Sequence, residues 1–316
     1  MHVTVCVCTY RRLDGLRDLL QGLLKQTFQH VPQPRFQLLI ADNEGNPEVK
    51  EICADFERRS SIPTVYVPEP QRGISYARNA CLERLPPDTD FLVMIDDDEV
   101  PQPDWLDQLL LVQAETGADV VYGPVLPVFP PGTPAWIEHG GFFYKPQDPG
   151  NLIDRQEPKF AATSNALLRA EVVRQPNLRF EPTLALSGGE DTLFFREIAQ
   201  AGYRIVWAAY ARVWENVPSH RARFGYLWRS EFRRGNVKLF VALRLRERRG
   251  SSPQRIRLAG DQFIKSLKKM ASGTAVMTRS LVSRQSRKDR LAAGALQIAG
   301  GLGMLTSVFG FKYRHY

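Results

Sequence analysis

The hydrophobic pattern along the first part of the chain alternates between two periods. Val3 to Cys8 is a β-branched, cysteine-containing run that reads as a strand. The stretch LDGLRDLLQGLLKQ follows, with Leu16, Leu19, Leu20, Leu23 and Leu24 at helical spacing. The succession then repeats. FQLLIADN reads as a strand, followed by a helix from Pro47 with Val49, Ile52, Cys53 and Phe56 on one side. PTVYVPE precedes the helix GISYARNACLERL, which Gly73 opens. DFLVMID precedes PDWLDQLLLVQAE, where Pro103 suits a first helical turn, and ADVVYGPV is a further strand. Such alternation predicts an α/β domain with a mostly parallel sheet and helices on both faces. The strands lack polar alternation, as strands buried on both sides do. Ligands of such sheets bind at the carboxyl ends of the strands. Three polar clusters fall there: Thr9–Arg12, Asp42–Asn43 and Asp96–Glu99.

Beyond this region, Pro127 to Gly150 is rich in Pro, Gly and aromatic residues and predicts a long irregular loop. FAATSNALLRA returns to a strand, SGGEDTLFFREIAQAG is a glycine turn into a helix, and YRIVWAA is another strand. From Arg221 onward the chain reads as helical and basic. The expected division is therefore a catalytic-type α/β domain over 1–220 and a basic helical region over 221–316.

Charge sharpens that division. From Val217 to the end there are 22 Lys/Arg against 4 Asp/Glu, whereas the preceding residues carry 20 against 30, for a net +8. An acidic body suits cation handling, and a basic tail suits an anionic surface or ligand. No nucleic-acid-binding motif accompanies the tail, so nucleic acid is not an expected partner. Cys6, Cys8, Cys53 and Cys81 form no CxxC pair and read as small apolar residues in a reducing compartment. The start MHVTVCVCTYRR does not resemble a signal peptide, so a cytoplasmic location is expected. Leu291 to Phe311 is uncharged and long enough to span a bilayer, with RQSRKDR before it and KYRHY after. A buried helical hairpin, an interfacial helix and a membrane span all fit this segment. Flanking basic residues favour an anionic cytoplasmic leaflet.

The candidate chemistry begins with Asp96, Asp97, Asp98 and Glu99, which end an apolar strand. Like charges so close repel one another, which predicts a cationic partner. Capping of the next helix accounts for one aspartate but not for the row. Oxygen-rich donors suit Mg²⁺ or Mn²⁺, and sites of this type combine one or two carboxylates with substrate phosphates. Glu190 and Asp191 open a helix after two glycines. The macrodipole favours carboxylates there, and either is also suited to act as a general base. Thr9, Tyr10 and Arg11 lie in a strand-to-helix turn of a kind that holds anions. Arg72 and Arg78 flank and enter the helix opened by Gly73.

In order, TYRR, ADN, RGxxxARN, DDDE, TSN and GGED resemble glycosyltransferase family 2, inverting enzymes of the GT-A fold, over roughly the first three quarters of the chain. Within it, the chain is most similar to transferases of succinoglycan-type exopolysaccharide assembly. The resemblance implies that Asp96 and Asp98 hold Mg²⁺ or Mn²⁺ on the diphosphate of a sugar nucleotide, with Asp97 facing the ribose or donor sugar. It implies that Asp42 meets the nucleobase, that Thr9, Tyr10, Arg11 and Arg78 line the donor pocket, and that Arg233 and Arg234 approach the diphosphate. It makes Asp191 the catalytic base with Glu190 beside it. RRGN stands where processive members carry QxxRW, which implies single-sugar transfer. The implied acceptor is a glycan or lipid-linked hydroxyl at the inner face of the cell membrane. Two readings compete: a non-catalytic protein that binds an anionic ligand, nucleic acid or lipid, through its basic tail, and a sugar-nucleotide nucleotidyltransferase, also α/β. The latter would want a glycine-rich loop with a lysine after the first strand, and CTYRRLDGLRD has neither.

Overall fold

The computed structural model describes residues 1–143, 153–158, 161–248, 255–282 and 287–314. The expected loop end at 144–150 and parts of the basic runs around 283–286 and 315–316 lie outside the described residues. In chain order the elements are β1 (His2–Thr9), α1 (Leu13–Leu24), β2 (Arg35–Asp42), α2 (Pro47–Ser60), β3 (Thr64–Pro68), α3 (Ile74–Glu83), β4 (Phe91–Asp96), β5 (Glu99–Pro101), α4 (Trp105–Thr116), β6 (Val120–Tyr122) and β7 (Val125–Val128). They continue with α5 (Ala135–Glu138), β8 (Ala166–Arg169), α6 (Ala170–Val173), α7 (Glu190–Gln200), β9 (Ile205–Trp207), β10 (Val213–Asn216), α8 (Phe224–Glu247), α9 (Arg255–Val282) and α10 (Arg287–Val308).

Seven strands form one sheet in the order β3-β2-β1-β4-β8-β6-β9, parallel except for β8, which runs antiparallel to both β4 and β6. On one face Val3, Val5 and Val7 pack with the leucine stripe of α1, with Val49, Cys53 and Phe56 of α2, and with Trp105 of α4. On the other, Cys6, Leu39 and Val67 pack with Ala77 and Cys81 of α3 and with Phe194 of α7. Both faces are covered, as the unbroken apolar strands require. Helix α4 starts after Asp104, so Pro103 precedes it; the Pro103 carbonyl accepts from Thr27 N at 2.7 Å.

The run ADVVYGPV is not one strand. β6 joins the large sheet, whereas β7 joins a small sheet ordered β5-β10-β7. The break falls at Gly123–Pro124. There the Asn165 amide donates to Pro124 O at 2.9 Å and Ala211 O at 2.6 Å, while Asn165 Oδ1 accepts from Trp105 Nε1 at 2.7 Å.

The chain divides into two compact units. One comprises Met1–Val128, Tyr144–Ala185 and Phe194–Asn216; the other comprises Phe129–Phe143, Leu186–Leu193 and Val217–Tyr316. Both sheets belong to the first. In the second, α10 lies against α8 and α9 through glycines. A Cβ on Gly294 would stand 2.6 Å from Gly273 O of α9, and one on Gly303 would run into Phe232 O of α8. From Leu291 to Val308 every residue is buried or half-buried. The segment is apolar and long enough to cross a membrane by length and composition, and about half of it is buried within the structure.

Candidate active site

The first unit builds its candidate site where β1, β2 and β4 end. Thr9 pairs with Asp42, and Cys8 with Asp96, so the polar ends of three adjacent strands share one edge. Beyond Asp96 the chain turns through Asp97 and Asp98 into β5, and Asp98 O accepts from Asn216 N at 3.1 Å. The turn is thus tied to a sheet on either side. Helix α1 closes on it as well: a Cβ on Gly15 would stand 2.5 Å from Asp97 O, so glycine is what admits this approach.

The four carboxylates separate into different roles. Glu99 turns back, 1% exposed, and accepts from Asp96 N at 3.0 Å. Asp96 Oδ1 lies 3.4 Å from Arg78 Nη2. Asp97 Oδ1 and Asp98 Oδ2 share Arg12 Nη1, at 2.7 and 2.9 Å. Burial pushes the Asp97 carboxyl up to about 6; Arg12 pulls it down, Asp98 pushes it up, and the Thr9 hydroxyl beside it lowers it. Burial alone would lower Arg12, yet Asp97 and Asp98 hold it above its ordinary value. The cation the carboxylate row calls for is therefore partly supplied by the chain. Arg12, the second arginine of TYRR, belongs to the expected polar cluster Thr9–Arg12, but the sequence assigns it no role of its own.

Asp42 is 1% exposed, and its oxygens accept from Glu44 N (3.0 Å), Asn46 N (2.6 Å) and Tyr66 Oη (3.0 Å). These bonds shape the β2–α2 turn. Asn43 accepts from Gly73 N at 2.7 Å and donates to Glu69 O and Gln71 O, fixing the loop that carries Arg72. The guanidinium groups of Arg11 and Arg72 both lie over the Tyr10 ring, at 5.1 and 5.6 Å from its centroid. Arg11 also pairs with Glu44 at 2.6 Å. Arg78 lies over Phe180 at 5.5 Å. In α3, Asn79 is structural: its amide exchanges hydrogen bonds of 2.9 Å with both the N–H and the C=O of Phe180.

The second unit holds Glu190, Asp191, Arg233 and Arg234. Gly188 and Gly189 take φ of 78° and 89°, a conformation that favours glycine, and start α7 in a tight turn. Glu190 is buried and Asp191 partly exposed; Asp191 Oδ1 accepts from Thr192 N at 2.6 Å. A Cβ on Gly188 would run into the Arg233 guanidinium, whereas Arg234 is exposed on α8 and pairs with Glu231 at 2.8 Å. The two arginines thus occupy different environments on one helix.

The model of "Glycosyl transferase family 2" matches residues 4–175. The chain belongs to glycosyl transferase family 2. A second model, "Glycosyl transferase family group 2", matches 91–286 and so takes in the GGED turn and α8 of this family 2 enzyme. The chain is 35% identical to the succinoglycan biosynthesis protein ExoM of Rhizobium meliloti over 75% of its own length and 74% of that protein. It is 25% identical to a glucosyl-dolichyl phosphate glucuronosyltransferase of Haloferax volcanii, covering 77% and 78% of the two chains. Among solved structures, the mannosyltransferase PcManGT of Pyrobaculum calidifontis with GDP-Man and Mn²⁺ superposes with a TM-score of 0.54 at 15% identity, over 98% of this chain and 74% of that one. TarS residues 1–349 of S. aureus with UDP gives 0.52 at 17%, over 99% and 93%; full-length TarS is spanned to 55%. The fold is therefore that of GT-A glycosyltransferases, and the protein is a nucleotide-sugar glycosyltransferase.

Among the described residues no group of three or more His, Cys, Asp or Glu side chains forms a metal cage. Asp96 and Asp98 instead offer two oxygen donors whose side chains are 37% and 14% exposed. That donor set fits an ion shared with substrate phosphates.

Proposed function

We propose that this transferase moves one sugar from a nucleotide-diphosphate donor to a hydroxyl of a glycan or lipid-linked acceptor, with inversion and with Mg²⁺ or Mn²⁺. The observation carrying this reading is the Asp97–Asp98 turn at the end of β4, with Arg12 against it and with Asp96 and Asp98 partly open to solvent. A bound divalent ion would neutralise charge on the leaving diphosphate, with Asp96 and Asp98 as its protein ligands. Thr9, Tyr10, Arg11, Arg78 and Asp97 would line the donor, with Asp42 at the nucleobase end and Arg233 and Arg234 at the diphosphate. Asp191 takes the proton of the acceptor hydroxyl, with Glu190 beside it. The hydroxyl oxygen bonds to the anomeric carbon as the bond to the diphosphate oxygen breaks, and the nucleoside diphosphate leaves. The GDP-Man and Mn²⁺ bound to PcManGT, and the UDP bound to TarS, support a donor and an ion of these classes. The 35% identity to ExoM supports exopolysaccharide assembly by the catalytic domain 1–220, and the basic segment 221–316 supports a location at the inner face of the cell membrane.

Product analysis tests this reading. With a donor from a panel of UDP-, GDP- and dTDP-sugars and a hydroxyl acceptor, NMR of the product is expected to show an inverted anomeric centre. Asp191→Asn is expected to lose turnover by about 10²–10⁴-fold with donor affinity unchanged. Retained configuration, or an active Asp191→Asn, would overturn it.

A further inference from the structure

Helix α9 carries large apolar residues on its outward face as well as on the face turned to its neighbours. The face buried within the second unit mixes small polar with apolar residues: Ser266 and Ser280 are 0% exposed, Gln262 is 8% exposed, Met270 and Met277 are half-buried against glycines of α10, and Gly273 meets Gly294. The serine hydroxyls donate to carbonyls of their own helix, Phe263 O and Val276 O, at 2.6 Å each, which satisfies them without a partner helix. The outward face carries Ile256 (91% exposed), Ile264 (53%), Leu267 (46%) and Phe263 (39%). These positions recur at the three- and four-residue steps of one helical stripe. A helix of a water-soluble bundle turns a polar face outward instead. Beside the stripe stand exposed Arg257, Lys265, Lys268 and Arg279, and Asp261 is the one acidic residue of the helix. An apolar stripe flanked by cations is the pattern of a helix lying in the headgroup region of an anionic bilayer.

We infer that the outward face of α9, not the apolar segment of α10, is the surface by which this protein docks on an anionic phospholipid bilayer. Charge complementarity selects this occupant, because a second copy of the chain would bring Lys265 and Lys268 against their own equivalents. The glycine-lined α10 then serves as the backing against which α9 is held. The inference rests on the membrane location proposed above for the transferase and assigns it to named residues.

The test uses the full chain and vesicles of phosphatidylcholine alone or mixed with phosphatidylglycerol. Co-sedimentation is expected with the mixed vesicles and to be weak with the neutral ones. Lys265→Glu/Lys268→Glu and Phe263→Ser/Ile264→Ser/Leu267→Ser should each reduce it by about tenfold or more. Both sets change exposed positions, so donor release measured without vesicles should stay at the parental rate. Phe263→Trp supplies a readout that needs no loss of binding: its emission should shift to the blue with anionic vesicles. Equal binding by the variants, equal binding to neutral vesicles, or an unshifted Trp would overturn the inference. A dimer in sedimentation velocity that the serine variant dissociates would overturn it in favour of a second copy. Vesicle binding that follows these residues in a protein releasing no nucleotide would support the surface while refuting the donor chemistry.

Discussion

Arg12 decides how the row of carboxylates can exist in the folded chain. It bridges Asp97 and Asp98, and without it two carboxylates would face each other at the end of β4. A carboxyl raised from 3.8 to about 6 holds its proton longer in the folded chain than in the unfolded one, so stability falls as pH climbs through that window. Removing Arg12 removes the main influence that pulls Asp97 down, and the window widens upward. Arg12→Ala, measured by urea unfolding in EDTA, is expected to cost about 2 kcal/mol at about pH 8 and clearly less at about pH 5. This lies below the ~3–5 kcal/mol of a fully buried pair because Arg12 is 37% exposed. An equal cost at both pH values would contradict the assignment. The sequence marks the need for a cation but not its source, because nothing local links residue 12 to residues 97 and 98; only the pairing of β1 with β4 brings them together. The exposed and buried carboxylates are likewise alike in sequence. Glu99 accepts from the backbone N–H of Asp96, whereas Asp42 accepts from two backbone N–H groups of its own turn and from the Tyr66 hydroxyl.

Elements with a long period are legible in the chain, and elements without one are not. The stripe of α1 and the apolar runs of β1, β2 and β4 announce a parallel sheet from the pattern alone. Strands β5 and β10 are three and four residues long and carry no period, so the small sheet that braces the Asp97–Asp98 turn is invisible. The break between β6 and β7 depends on Asn165, whose partners lie more than forty residues away in sequence. In α10 the glycines mislead in the other direction. They lower its hydropathy, yet they are what lets α8 and α9 approach. Gly303→Ala drives a Cβ into Phe232 O and should destabilise the chain by about 1–3 kcal/mol. Gly260 is exposed on α9, and a methyl group added to it would meet nothing within 4 Å. Gly260→Ala should therefore stabilise by up to about 1 kcal/mol through helix propensity. Thermal unfolding of the two variants checks the pair, and a neutral Gly303→Ala would contradict the close packing of α8 and α10.

Across the molecule, acidic and basic residues are divided between tasks. The sheet unit gathers carboxylates at one edge, where a phosphate-bound cation suits them, and the segment from Val217 to the end carries 22 of the 42 Lys and Arg residues. Family membership and the GT-A fold make the chain a nucleotide-sugar glycosyltransferase, and the central claim is that Asp96 and Asp98 receive the donor's diphosphate through a divalent ion. The most direct test is equilibrium binding of the UDP-, GDP- and dTDP-sugar panel to the full chain, with Mn²⁺ or with EDTA, alongside Asp98→Ala. The expected result is one donor class bound only with the ion, its affinity falling by at least about tenfold in the variant, as for loss of one charged ligand. Donor bound equally well in EDTA, or by Asp98→Ala as by the parent, would contradict the claim.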